Sequence, residues 1–193
     1  MLTLLDKVQR HRRPQTQADF PAHHALSQHL AAESIVLLKN EGNLLPLNPE
    51  KTRRIAVLGK PAQEPVIQGS GCATTVPYLL DRPLDEIFDL AGDDFSVTWA
   101  EGTPDDLNCD EQALLEARAV AQDADVAVIF VSTAVGEDGE NGDRQDLNIL
   151  AVHERLIREV AAVQPNVVVV LANSDAVVTV SYTHLTLPTI CSV

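Results

Sequence analysis

Between residues 136 and 148 the chain reads GEDGENGDRQDLN, with Glu137, Asp138, Glu140 and Asp143 set among Gly136, Gly139 and Gly142 and followed by Arg144. Carboxyl groups do general acid–base work when burial or a neighbouring carboxylate raises one pKa until it holds its proton near neutral pH. Glycines on both sides of Glu140 allow the backbone to bend towards another body. Composition alone favours a plainer reading, in which these are solvated acids on an exposed loop. Only a further pattern around the loop can single out one carboxylate.

A second stretch invites a chemical reading. GSGCATT (69–75) has the small residues of a phosphate cradle. A phosphate loop, however, needs Gly-Lys-Ser/Thr opening a helix, and a dinucleotide fold needs GxGxxG directly after a strand. Neither is present, and Gly69 comes ten residues after the strand that ends at Gly59. His23, His24, His29 and His153 lack metal-ligand spacing with acidic partners and are expected at the surface. Cys72, Cys109 and Cys191 are scattered with no CxxC, which gives neither a disulfide framework nor a zinc site. Ser34, Ser70 and Ser132 have no nucleophile-elbow context. Trp99 lies within a strand pattern and is expected in the core. No cofactor or metal is implied.

The elements that would carry these residues alternate. HHALSQHLAAESIVLLKN, from residue 22, is expected as one helix, with Leu30, Ala31, Ser34, Ile35 and Leu38 on one face. RRIAVLG (53–59) is a buried strand, and PLDEIFDLAG a short helix with Pro83 at its start and Gly92 past its end. FSVTWAEG (95–102) is a strand and DEQALLEARAVAQDA (110–124) a helix. DVAVIFVS (125–132) and NVVVVLANS (166–174) are continuous apolar runs, as expected of strands buried on both faces, and AVHERLIREVAAVQ (151–164) is the helix between them. This order predicts an α/β fold, a mostly parallel sheet flanked by helices in a three-layer sandwich. Ligand contacts in such sheets gather beyond the carboxyl ends of the strands. The connections 60–80 and 133–148 both leave that edge, and both exceed the usual ~2–6 residues of a strand-to-helix turn.

Bulk properties limit the partners. The 193 residues carry 28 acidic and 14 basic side chains, a net charge of −14. Such a surface repels nucleic acid and anionic membranes. No apolar run reaches the ~18 residues of a membrane-spanning helix. At the N-terminus, MLTLLDKVQRHRRP places its basic cluster after the apolar stretch, the reverse of a secretory leader. The compartment is left open.

Three stretches resemble the C-terminal α/β sandwich of family 3 glycoside hydrolases. They are AAESIVLLKNEGNLLPL (31–47) with the strand RRIAVLG after it, GSGCATTVPYLLDRPLDEI (69–87), and GENGDRQDLNILAVHERLI (139–157). WAEG (99–102) matches a smaller element of the same pattern. The sequence departs from that pattern at Asn141, at Leu150-Ala151 and at His153. The resemblance implies part of a retaining β-glycosidase of the β-glucosidase type, acting on terminal β-linked sugars. A preceding barrel domain of the same chain is expected to supply an Asp nucleophile, and this unit the general acid/base. Carried onto the third stretch, the resemblance makes Glu140 the acid/base, three residues before Asp143-Arg144, with Glu137 as its rival. Asp143 and Arg144 would brace that loop, and Gly69 and Ser70 would lie near the substrate. A non-catalytic α/β binding module is the alternative from a different class.

The resemblance also sets expected boundaries. Residues 1–21 read as the remnant of an interdomain linker and 22–179 as an incomplete sandwich. Residues 180–193 read as a tail: SYTHLTLPT (181–189) resembles translated sequencing-adapter read-through, and no further sheet element is expected after Ser174. A short edge strand is the other reading of that tail.

Overall fold

The computed structural model describes residues 17–69, 71–104, 108–133, 146–173, 176–178 and 189–192. Among these described residues, four α-helices, α1 (Phe20–Ser34), α2 (Pro83–Ala91), α3 (Glu111–Asp123) and α4 (Ala151–Ala161), accompany six strands. The strands are β1 (Val36–Lys39), β2 (Arg54–Leu58), β3 (Ser96–Ala100), β4 (Val126–Ser132), β5 (Val167–Ala172) and β6 (Thr189–Ser192). They form one sheet in the order β1-β6-β5-β4-β2-β3. Five strands run parallel, and β1 lies antiparallel to β6 at one edge. The alternating order read from the sequence is thus an α/β sandwich with a mostly parallel sheet.

Strand periodicity sorts the side chains into two layers. Ala56 and Leu58 of β2, Ala127, Ile129 and Val131 of β4, and Val167, Val169 and Leu171 of β5 face one way. They pack on Leu114, Ala117 and Ala121 of α3 and on Leu156, Ile157 and Val160 of α4. Each fully buried Leu or Ile in this layer stabilises the fold by about 1.5–3 kcal/mol. Ile55, Val57, Val126 and Val168 face the other way, towards Leu84 of α2 and the loop residues Leu44, Leu45 and Leu47. This second layer is thinner, and Val128 and Phe130 are only partly buried there.

Helix ends follow local chemistry. Asp110 caps α3 by accepting from the N–H groups of Gln112 and Ala113. Pro83 opens α2, where its missing N–H costs nothing. Gln164 donates to the carbonyls of Ala121 and Ala124 and accepts from the Asn166 N–H, which joins the end of α3 to the turn before β5. At the amino edge of the sheet the Asp125 carboxylate accepts from the N–H groups of Arg53 and Arg54 and pairs with the Arg54 guanidinium at 2.9 Å.

Two expectations are corrected. The helix from residue 22 does not continue through 39: α1 ends at Ser34, and Val36–Lys39 is β1. The β-branched pair Ile35-Val36 favours extended backbone, and Ile35 is already extended at φ −70°, ψ 128°. No residue of α1 is buried. Phe20 stacks on Tyr78, and His24 and Gln28 both reach Asp81, so α1 rests on the 78–81 segment. Secondly, a sheet element does follow residue 174: β6 pairs in parallel with β5 and bridges it to β1.

Candidate active-site loops

Two long connections leave the carboxyl edge of neighbouring strands. β2 and β4 run in register, with Leu58 beside Ile129. β2 is followed by Gly59, whose φ of +100° is open to glycine. A Cβ there would sit 2.1 Å from the Phe130 carbonyl oxygen, so β2 can turn off the sheet against β4 only with glycine.

The first connection contains Gly69, the one predicted site residue that is described; it is exposed. The Gln68 side chain closes the loop around it. Gln68 accepts from the Thr75 N–H at 3.0 Å and from the Thr75 hydroxyl at 2.8 Å, and donates to the Thr75 carbonyl at 2.9 Å. A short 3-10 turn at Gly71–Ala73 lies inside this ring. Gln68 was not singled out from the sequence; an amide residue flanking a Gly-Ser run was the available signal.

The second connection contains Glu137, Glu140, Asp143 and Arg144. These four residues, with Ser70 of the first loop, lie outside the described residues. Both roots of the second connection are described. On the near side, Ser132 and Thr133 are buried, and the Thr133 N–H donates to the Ala172 carbonyl of β5 at 3.3 Å. On the far side, Asp146 accepts from the Asn148 N–H, the Leu147 carbonyl accepts from the Val178 N–H at 2.7 Å, and Ile149 is buried.

His153 corrects an expectation. It is not at the surface but fully buried, in the first turn of α4. Its Nδ1 lies 3.1 Å from the Ser132 carbonyl oxygen and 3.4 Å from the Ser132 nitrogen. It shares the core-facing side of α4 with Leu156, Ile157 and Val160, which follow it at three, four and seven residues. Trp99 packs against the second core layer, as its strand position predicts.

Among the described residues, shifted acid–base groups lie at Asp125 and Arg155. Asp125, at the opposite edge, is lowered from 3.8 to about 2 by the Arg54 guanidinium and by the backbone N–H groups of Arg53 and Arg54. Arg155 is held further up by its bidentate pairing with Glu111. A cavity of about 660 Å³, lined by Asn48, Lys51, Asp125 and Asn166 among others, also lies at the opposite edge. Asp125, Asn48 and Asn166 there are already engaged in bonds within the chain. Among the described residues, no three His, Cys, Asp or Glu side chains converge to hold a metal ion, and no helix is long and apolar enough to cross a membrane.

Residues 35–190 match the family model of the glycosyl hydrolase family 3 C-terminal domain. The chain belongs to glycoside hydrolase family 3. Within this family it is similar to thermostable beta-glucosidase B of Acetivibrio thermocellus, with 40% identity over 162 residues, 83% of this chain and 21% of the relative. It is 37% identical over 167 residues to an exo-alpha-(1->6)-L-arabinopyranosidase of Bifidobacterium longum, covering 82% of this chain and 22% of that one. Among solved structures, the family 3 beta-glucosidase of Bifidobacterium adolescentis superposes with a TM-score of 0.84 at 30% identity, over 98% of this chain and 27% of its own. This family 3 chain therefore spans about a fifth of the length of the curated relatives it matches.

Proposed function

We propose that this chain is the part of a retaining β-glycosidase that contributes the general acid/base, Glu140, to a site completed by an N-terminal domain of the same protein. Retaining hydrolysis needs two carboxyl groups about 5–5.5 Å apart. One attacks the anomeric carbon. The other protonates the departing oxygen and then deprotonates the water that releases the sugar. The reading rests on one observation above all: the block 139–157, with Glu140 three residues before Asp143-Arg144, lies inside the matched family domain. It is supported by the loop's departure from the carboxyl edge of β4, where α/β sheets gather ligand contacts.

Asp143 and Arg144 brace the loop in this reading, through an ion pair or backbone hydrogen bonds. In this reading Gly69 and Ser70 lie near the same substrate. The substrate is a terminal β-linked sugar, a β-glucoside by similarity to the beta-glucosidases. The similarity to an exo-alpha-(1->6)-L-arabinopyranosidase supports a reading in which related chains act on other sugars. A nucleic-acid or membrane partner has no part in this chemistry.

The test is Glu140→Gln in a protein that also contains the N-terminal domain. Hydrolysis of an alkyl β-glucoside, whose leaving group needs protonation, falls by about 10²–10⁴. Formation of the glycosyl-enzyme from a dinitrophenyl β-glucoside, which leaves unprotonated, changes far less. Glu137→Gln retains activity on both substrates. The opposite pattern between the two variants transfers the role to Glu137.

A further inference from the structure

We propose that His153 is a positioning residue that clasps together the two roots of the loop carrying Glu140; the inference deepens, and rests on, the acid/base reading above. The clasp follows from strand geometry. The Thr133 N–H is given to β5, so alternation along β4 turns the N–H and C=O of Ser132 to the opposite side. The Phe130 carbonyl, two residues earlier, faces that same side and meets Gly59 at the end of β2. One step further, β2 has run out, because its last residue, Leu58, is in register with Ile129. Ser132 therefore has no ladder partner in β2, and its buried N–H and C=O need one elsewhere.

His153 supplies the partner. Its Nδ1 lies 3.1 Å from the Ser132 carbonyl oxygen and 3.4 Å from the Ser132 nitrogen, so one tautomer of the ring donates to the carbonyl and the other accepts from the N–H. Ser132 ends the strand before the loop, and His153 sits in the first helical turn after it. One hydrogen bond thus ties the described residue that ends β4 to the first turn of α4, the two roots of the connection. An acid/base misplaced by even 1 Å loses much of its effect. Position 153 also packs beside Leu156 and Ile157 in a core layer, so the clasp cannot shift without disturbing α4.

Two variants separate the hydrogen bond from the packing. His153→Leu keeps apolar bulk and removes the hydrogen bond, while His153→Asn puts an amide group close to where Nδ1 was. Backbone hydrogen exchange on the present chain is expected to quicken about tenfold in His153→Leu at Thr133 and Val178, whose N–H groups bond Ala172 and Leu147 at the two roots. The Ala127 amide of the sheet core stays unchanged, and His153→Asn returns both roots to within about twofold of the parent. Unchanged roots in His153→Leu, or a core amide that quickens as much as the roots, overturns the clasp.

In a protein containing the N-terminal domain, His153→Leu lowers kcat about tenfold with KM changed less than twofold, and His153→Asn recovers it. Loosened roots with an unchanged kcat overturn the positioning role. A fully active Glu140→Gln protein instead sinks the acid/base reading and leaves the exchange comparison to decide the clasp alone.

Discussion

Asp125 holds the amino edge of the sheet together with a single carboxylate. It collects the N–H groups of Arg53 and Arg54 and the Arg54 guanidinium, and its pKa falls from 3.8 to about 2. A carboxylate depressed on folding contributes stability above its unfolded pKa and loses it as pH falls through the folded value. The contribution is therefore full above about pH 4 and gone near pH 2. Asp125→Asn is expected to melt below the parent at pH 7, with the gap in Tm closing between pH 4 and pH 2; circular dichroism melts at several pH values read this directly. A gap that persists at pH 2 would show that packing rather than charge sets the effect. At this same scale the sequence was readable in part. His153 follows the spacing of Leu156, Ile157 and Val160, a pattern that marks it as core-facing, but its polarity favoured the surface assignment. Its partner is a backbone carbonyl 21 residues away, which no local pattern reveals. Glu140 stood out only through the family pattern, since an acidic, glycine-rich run has the same composition whether it is catalytic or merely solvated.

The elements were legible wherever periodicity and punctuation agreed. β2, β4 and β5 are apolar on both faces, and α2, α3 and α4 carry clear apolar stripes between recognisable ends. β1 was absorbed into the preceding helix, because AAESIVLLK also satisfies a helical period and strand pairing is not a local property. The two helix types differ in a measurable way. Leu156 of α4 is completely buried between α3 and the sheet, whereas Leu30 of α1 is 56% exposed. Leu156→Ala is expected to cost about 2–5 kcal/mol in urea denaturation. Leu30→Ala, on a helix that stands off the sheet, stays within about 0.5 kcal/mol. A large loss at Leu30 in this chain would mean that α1 packs on a surface other than the 78–81 segment.

At the scale of the molecule, a mostly parallel sheet was legible from element order alone, whereas the strand order and the closing strand β6 were not. Its residues are set among Thr, Pro and Tyr, and their place between β5 and β1 is fixed by pairing with segments far away in sequence. The catalytic prediction also belongs to the whole. Two carboxyl groups must face each other across the anomeric carbon, and this chain, a fifth of the length of its curated relatives, contributes only one in the reading above. Part of the exposed surface is apolar: Val76 is 96% exposed and Leu90 84%, with Tyr78, Leu79 and Phe20 exposed near the glycine-rich loop. Such patches mark an interaction surface or an association hazard. The isolated, purified chain is therefore expected to give no turnover of nitrophenyl β-glucoside above the buffer rate, with Glu140 intact or replaced. Under the proposed reading, the same chain joined to an N-terminal domain is expected to turn over, and only there is Glu140→Gln expected to matter. Turnover by the isolated chain that survives purification to homogeneity, and that disappears in Glu140→Gln, would place a complete carboxylate pair within these 193 residues. The nucleophile would then have to be sought among the acids of this domain instead of in another one.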